Sequence, residues 1–149
     1  MIHKLLIANR GEIACRIART AAEMGIETLA IASDADAQAM HVLACDDVVY
    51  LGGNTPAESY LRGADIIAAG RARGADAIHP GYGFLSEDPE FAQAVIDAGL
   101  IWVGPPPSAI RAMGLKDSAK VLMQAAKVPV VPGYHEADQS LDVLQQAAQ

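Results

Sequence analysis

Basic side chains are scarce in this sequence, with 11 Lys and Arg against 18 Asp and Glu and a formal net charge of −7. No Lys/Arg cluster forms, so a nucleic-acid surface or an anionic membrane is not an expected partner. Long apolar runs are missing too: none approaches the roughly 20 residues of a membrane span. Met1-Ile2-His3-Lys4 leads straight into a strand pattern in place of a signal peptide, so a cytoplasmic address is expected, with an organelle matrix as the other option. There are two cysteines, Cys15 and Cys45, and neither belongs to a CxxC or paired-His spacing. No metal site is expected from them, and both read as small buried hydrophobes. Internal repeats and low-complexity tracts are absent. What remains is a chain of 149 residues, 52% hydrophobic and 19% charged, enough for one globular core with a short appendage.

The apolar pattern alternates between strand and helix. Lys4 to Ala8 reads as a strand, followed by a helix in which Ile13, Ile17, Ala21 and Met24 recur at helical steps and Gly25 supplies the stop. Glu27 to Ala32 and Val48 to Leu51 make a second and third strand, with a short helix at Ala39 to Leu43 between them. A helix over Ala57 to Ala72 leads to a fourth strand, Ala75 to Ile78. Asp88 and Pro89 then form an N-cap and first helical residue, and that helix ends at Gly99. Leu100 to Val103 is the fifth strand. Alternation of this kind predicts an α/β fold: a doubly wound, Rossmann-like parallel sheet in the order 3-2-1-4-5, covered on both faces. Its ligand edge is expected at the carboxyl ends of the strands, where the Asn9, Asp34 and Tyr82 loops converge. Gly104-Pro105-Pro106-Pro107 interrupts the pattern. Helices at Ser108 to Met113 and Asp117 to Lys127, a strand at Val128 to Gly133 and a helix at Asp138 to Gln149 are expected after it.

Two loops carry candidate chemistry. The first is His79-Pro80-Gly81-Tyr82-Gly83-Phe84-Leu85-Ser86-Glu87, in which Gly81 and Gly83 permit a close backbone approach while His79, Tyr82 and Glu87 supply an imidazole, a phenol and a carboxylate. A strand-to-helix turn with Tyr82 and Phe84 as packing explains the same residues. His79, restricted by the following proline, is expected as a hydrogen-bonded structural residue. The second is Asn9-Arg10-Gly11-Glu12-Ile13-Ala14, which stands where a dinucleotide fingerprint would, with Asp34 roughly 20 residues further on. Asn9 occupies the place of the turn-forming Gly, however, and Glu12 sets negative charge where a pyrophosphate would dock. An NAD-binding fragment is therefore a rival reading with weak support.

Ile7 to Ile17, His79 to Glu87, and Gly114-Leu115-Lys116-Asp117 followed by Val128-Pro129-Val130-Val131-Pro132-Gly133 stand in the order and spacing of one family. The chain resembles biotin carboxylase, the ATP-dependent component of acyl-CoA carboxylases and pyruvate carboxylase, related to the large chain of carbamoyl-phosphate synthetase. Val130-Val131-Pro132-Gly133-Tyr134-His135 is most similar to the acyl-CoA carboxylase branch. The resemblance implies a domain over residues 1–113 and the truncated opening of an ATP-grasp domain over 114–149. It implies Mg2+, ATP and biotin as cofactors of the complete enzyme, which activates bicarbonate through carboxyphosphate and carboxylates the ureido nitrogen of biotin. The implied partners are the remainder of the biotin carboxylase, a biotin carboxyl carrier domain and a carboxyltransferase.

Residue by residue, the same resemblance places Lys116 on the nucleotide phosphates, Tyr82 and Gly83 beside the biotin pocket, and Glu87 at the rim, where a carboxylate orients a catalytic arginine. Asp88-Pro89 departs from the Asn that more often follows Glu87. Arg16, Arg19 and Glu23 match positions of a symmetric homodimer interface, although alternating charges on one helical stripe with Glu12 also describe an ordinary solvated face. Lys120 and Lys127 read as solvated charges. The 149-residue chain alone is expected to be inactive. A non-catalytic binding or assembly module is the alternative from another class.

Overall fold

The computed structural model describes every residue except 115, 132, 135–137, 139, 148 and 149, and gives only the backbone of 116, 117 and 147. It divides into two compact units, Met1–Pro107 and Ser108–Gln149.

The first unit alternates β1 (Lys4–Ile7), α1 (Gly11–Glu23), β2 (Glu27–Ala32), α2 (Met40–Ala44), β3 (Asp47–Tyr50), α3 (Gly63–Ala72), β4 (Ala77–His79), α4 (Pro89–Asp97) and β5 (Ile101–Trp102). The five strands pair in the order β3-β2-β1-β4-β5. Every pairing is parallel: Leu6 lies opposite both Leu29 and Ile78, and Ala30 lies opposite Val48. All the loops that follow the strands therefore leave from one edge of the sheet.

Residues alternate between the two faces of each strand, and each face has its own core. Leu6, Leu29, Ile31 and Ile78 pack with Ile66 of α3 and Phe91 and Val95 of α4. Leu5, Ile7 and Ala77 pack with Ala14, Ala18 and Ala21 of α1. Of the expected apolar stripe of α1, Ala21 is buried, and Ala14 and Ala18 take the places next to it where Ile13 and Ile17 are expected. The three alanines are buried, Ile13 and Ile17 are half-buried, and Met24 is 69% exposed. Small side chains let a helix lie close on a sheet, so the bulkier isoleucines fall to the margin of the contact.

Local chemistry sets the boundaries. Gly25, at φ 71°, closes α1 with the paired bonds of a Schellman turn, Ile26 N to Ala21 O at 2.9 Å and Gly25 N to Ala22 O at 3.0 Å. The Asp88 carboxylate caps α4, accepting from Glu90 N at 2.9 Å and Phe91 N at 3.1 Å, with Pro89 at the first helical position.

Three expectations are corrected. The helix expected over Ala57 to Ala72 is a 3₁₀ turn at Pro56–Glu58, opened by a capping box between Thr55 and Glu58, followed by α3 from Gly63; the backbone leaves the helical region between them at Ser59, with φ −140° and ψ −87°. Cys15 and Cys45 are half-buried free thiols, not core residues. No strand forms over 128–131, and Pro132 lies outside the described residues; a β-branched run stays irregular when no neighbouring strand takes up its backbone groups.

In the second unit, α5 (Pro107–Gly114), α6 (Lys116–Ala125) and α7 (Leu141–Ala147) are the helices. Leu115, His135 and the last two residues of the expected final helix lie outside the described residues. Among the described residues no helix is long and apolar enough to cross a membrane.

Candidate functional site at the carboxyl edge of the sheet

Because β1 and β4 are neighbours, the loops that leave them must meet. Ala8 N donates to His79 O at 2.8 Å, extending the ladder by one bond beyond the strands. The next residue, Asn9, is 3% exposed. Its Nδ2 donates to Pro80 O at 2.7 Å and to Tyr82 O at 2.8 Å, and its Oδ1 accepts from Arg10 N at 2.9 Å. Gly81 sits between the two clasped carbonyls at φ 66°, and a Cβ there would come within 2.8 Å of Asn9 Nδ2. His79 Nδ1 accepts from Gly81 N at 3.0 Å, the structural bond expected of it. Burial holds the His79 pKa below its usual value, which favours the neutral ring that this acceptor role requires.

Behind this loop lies a charged cluster. Asp36 takes Arg10 Nε on Oδ2 and Arg10 Nη2 on Oδ1, both at 2.7 Å; its Oδ2 also accepts from Tyr60 OH at 2.8 Å and Ser33 Oγ at 3.2 Å. The Arg10 bond first, and the Tyr60 and Ser33 bonds after it, lower the Asp36 pKa to about 2 against the opposing effect of burial. The Tyr60 ring stacks on Phe84, with centroids 5.2 Å apart and planes 10° apart. Phe84 holds φ at 45°, uncommon for a residue with a side chain, and its ring packing anchors that conformation. The loops after β1, β2 and β4 are thus tied together through Arg10, Asp36, Tyr60 and Phe84.

The outward groups stand on this scaffold. Tyr82 is 62% exposed and its hydroxyl donates to Glu12 Oε2 at 3.2 Å. Gly83 is exposed, and a Cβ added there would meet nothing within 4 Å. Glu87 lies four residues on, exposed, and makes no hydrogen bond or ion pair among the described residues. Tyr82 and Gly83 are therefore brought together, while Glu87 is near them in sequence but not bonded to them. Arg16, Arg19 and Glu23 lie exposed along α1, and the ion pairs that alternating charges suggest are not formed among the described residues. Arg16 borders a cavity of about 410 Å3 that Ile2, Ile13, Ile17 and Val103 also line. Lys116 opens α6, and its side chain lies outside the described residues.

Two residues of this edge escaped the sequence reading. The Asn9 loop is expected at this edge, but the sequence assigns the Asn9 side chain no role beyond being the wrong residue for a dinucleotide turn, although the expected strand order puts the loops after the first and fourth strands side by side. Asp36 was passed over for Asp34, which is exposed; the buried carboxylate facing Arg10 is two residues further on. With Asn9 engaged by two carbonyls and Arg10 by Asp36, the dinucleotide reading gains no support from the geometry.

A family model described as "Biotin carboxylase, N-terminal domain" matches residues 1–110. The mitochondrial methylcrotonoyl-CoA carboxylase subunit alpha of Oryza sativa subsp. japonica is 55% identical over 143 residues, 96% of this chain and 19% of the relative. The propionyl-CoA carboxylase alpha chain of Ruegeria pomeroyi is 51% identical over 150 residues, 98% of this chain and 22% of the relative. The chain thus spans about a fifth of the length of these curated relatives. Among solved structures, the biotin carboxylase domain dimer of Hydrogenobacter thermophilus 2-oxoglutarate carboxylase, in complex with MgADP and bicarbonate, superposes with a TM-score of 0.90 at 40% identity, covering 99% of this chain and 32% of that one. The K. lactis urea amidolyase gives a TM-score of 0.84 at 48% identity over 88% of this chain and 8% of that one. A parallel sheet in the expected order, three loops converging on its carboxyl edge and a family match over most of the length agree with one another: the chain belongs to the biotin carboxylase family, with residues 1–110 matching its N-terminal domain.

Proposed function

We propose that this chain is the N-terminal part of a biotin carboxylase in an acyl-CoA carboxylase, an enzyme that carboxylates biotin with bicarbonate at the expense of ATP. The observation that carries the reading is the open Tyr82–Gly83 segment, held at the ligand edge of the sheet by contacts from beneath. An exposed phenol beside a glycine with free space above it suits a flat, polar, uncharged ring such as the ureido ring of biotin. Glu87, exposed and unpaired, is available at the rim to orient a cation. Lys116 at the start of α6 is the proposed phosphate contact, where an ammonium acts as a point charge.

Among the described residues no group of three His, Cys, Asp or Glu side chains converges as a metal site. We assign magnesium and most of the phosphate contacts to the rest of the enzyme, whose ATP-grasp domain opens at residue 114 on this proposal. Mg-ATP supplies the free energy that activates bicarbonate. The residues of this chain position biotin and one phosphate, so the 149-residue chain by itself is inactive. The other partners are a biotin carboxyl carrier domain and a carboxyltransferase, and Arg16, Arg19 and Glu23 form part of a homodimer interface. The cytoplasm is the proposed compartment; the mitochondrial name of the Oryza sativa relative makes an organelle matrix the alternative.

The test is the biotin-dependent release of phosphate from ATP by a full-length carboxylase subunit that carries this chain. Lys116→Gln removes a charge-assisted contact of about 1.5–3 kcal/mol, so the Michaelis constant for ATP should rise roughly ten- to a hundredfold. An unchanged ATP constant and turnover, or biotin carboxylation by the 149-residue chain alone, would overturn the proposal.

A further inference from the structure

Between β4 and α4 the loop has no backbone ladder to fix it, yet it must present Tyr82 and Gly83 in one arrangement. Gly81, Gly83 and Phe84 all hold positive φ, a combination the local sequence does not enforce by itself. Beside the His79 bond to Gly81 N and the packing of Phe84, one side chain binds two of the loop's carbonyls. Both protons of the Asn9 amide are spent on this loop, one on each carbonyl flanking Gly81, and its oxygen is spent on Arg10 N. Only a short primary amide meets these demands: an aspartate would set a carboxylate against two carbonyl oxygens, and a longer side chain would collide with Gly81. The outer restraint, Tyr82 to Glu12, is solvent-exposed and correspondingly weak.

Peptide planarity carries the effect one bond further. In a trans peptide the carbonyl and the following N–H point in opposite directions, and no peptide bond among the described residues is cis. Fixing the Tyr82 carbonyl on Asn9 therefore turns the Gly83 N–H away from the clasp. Among the described residues nothing accepts from it. The same logic at the preceding carbonyl sends the Gly81 N–H to His79 Nδ1, where its bond is seen.

We infer that Asn9 is a positioning residue for biotin: by clasping the Pro80 and Tyr82 carbonyls it sets the Tyr82–Gly83 peptide plane and presents the Gly83 N–H as a donor to the bound ring. The inference rests on the reading that this loop borders biotin. Asn9 itself touches no ligand, so its loss should impair biotin use and leave nucleotide use intact.

Two measurements separate the inference from the reading beneath it. In the 149-residue chain, 15N relaxation should show the order parameters of Gly81, Tyr82 and Gly83 falling from about 0.85 to below about 0.6 in Asn9→Ala and Asn9→Asp, with Leu6, Leu29 and Ile31 unmoved. In a full-length subunit carrying the chain, both variants should raise the biotin Michaelis constant at least about tenfold, with turnover at saturating biotin and the ATP constant within about twofold. Gly81→Ala attacks the same contact from the loop side, away from the sheet, and should reproduce the split if the Asn9 variants fold poorly. Unchanged order parameters would overturn the clasp whatever the kinetics show. A loosened loop with an unchanged biotin constant would instead overturn the placement of biotin at this loop.

Discussion

Arg10 and Asp36 meet side-on, with Nε to Oδ2 and Nη2 to Oδ1 both at 2.7 Å, joining the loop after β1 to the loop after β2. The geometry is the bidentate fork that makes guanidinium–carboxylate pairs directional. The Asp36 side chain is 11% exposed and that of Arg10 50% exposed, so the pair is neither dry nor freely solvated. Tyr60 and Ser33 complete the carboxylate's acceptor sites, and the Arg10 guanidinium also lies 5.9 Å above the centre of the Tyr60 ring. One carboxylate thus organises the polar floor under the candidate site.

The first prediction concerns acid stability. The Asp36 pKa is about 2 in the fold against 3.8 in the unfolded chain, so the unfolded state binds more protons between these values. Its contribution is complete above about pH 4 to 5 and is lost as the pH falls through 3.8 toward 2. Allowing for solvent at Arg10, the loss should be roughly 1–2 kcal/mol. Urea melts from pH 2 to 6 should show this share of the slope in the wild type and lack it in Asp36→Asn. A variant with an undiminished slope would assign acid stability to other carboxylates.

His41 supplies a second test at milder pH. It is fully buried in α2, its Nε2 lies 3.1 Å from Ile31 O, and its Nδ1 has no partner among the described residues. Burial lowers its pKa, and the backbone bond to Ile31 opposes that only in part. The neutral ring is the folded form, so the unfolded chain takes up the extra proton as the pH drops below 6.5. Stability should be full above that value and fall on acidification until the folded pKa is reached. His79, also lowered by burial, contributes in the same direction. His41→Met should flatten the stability profile between pH 5 and 7 while retaining a residual slope from His79. An unchanged slope would show that His41 titrates alike in both states.

A third prediction is local to α4. Asp88 satisfies two of the helix's free amides, and truncation to Ala should cost about 1 kcal/mol. Asp88→Asn should recover most of it, since the capping oxygen is kept. Equal stability of Asp88→Ala and wild type in urea would mean that Pro89 and the packing of Phe91 alone fix the start of the helix.

The alternation of apolar runs with helical segments was legible because each obeys a local rule: period two or short apolar runs for strands, period 3.6 for helices, and Gly, Asp and Pro at the ends. Asp88-Pro89 and Gly25 act where their chemistry says they should. On α1 the expected Ala21 is buried, but Ala14 and Ala18 take the sheet-facing places expected for the more hydrophobic Ile13 and Ile17. Which stripe faces the sheet depends on how closely the helix can approach, and pairwise fit across the interface decides that.

By itself, then, the sequence determined the family, the five strands and the order in which they pair, because periodicity, capping and motif spacing act over a few residues or survive as a pattern along the chain. It also singled out the Tyr82 loop as a candidate site. Only the tertiary structure decided what holds that loop. Asn9 and Tyr82 are separated by 73 positions in the chain, as Arg10 and Asp36 are by 26. A side-chain amide has no preferred partner until the parallel pairing of β1 with β4 brings two carbonyls within its reach. Long-range hydrogen bonds of this kind depend on sub-ångström placement of groups distant in sequence, and the packed sheet supplies that placement.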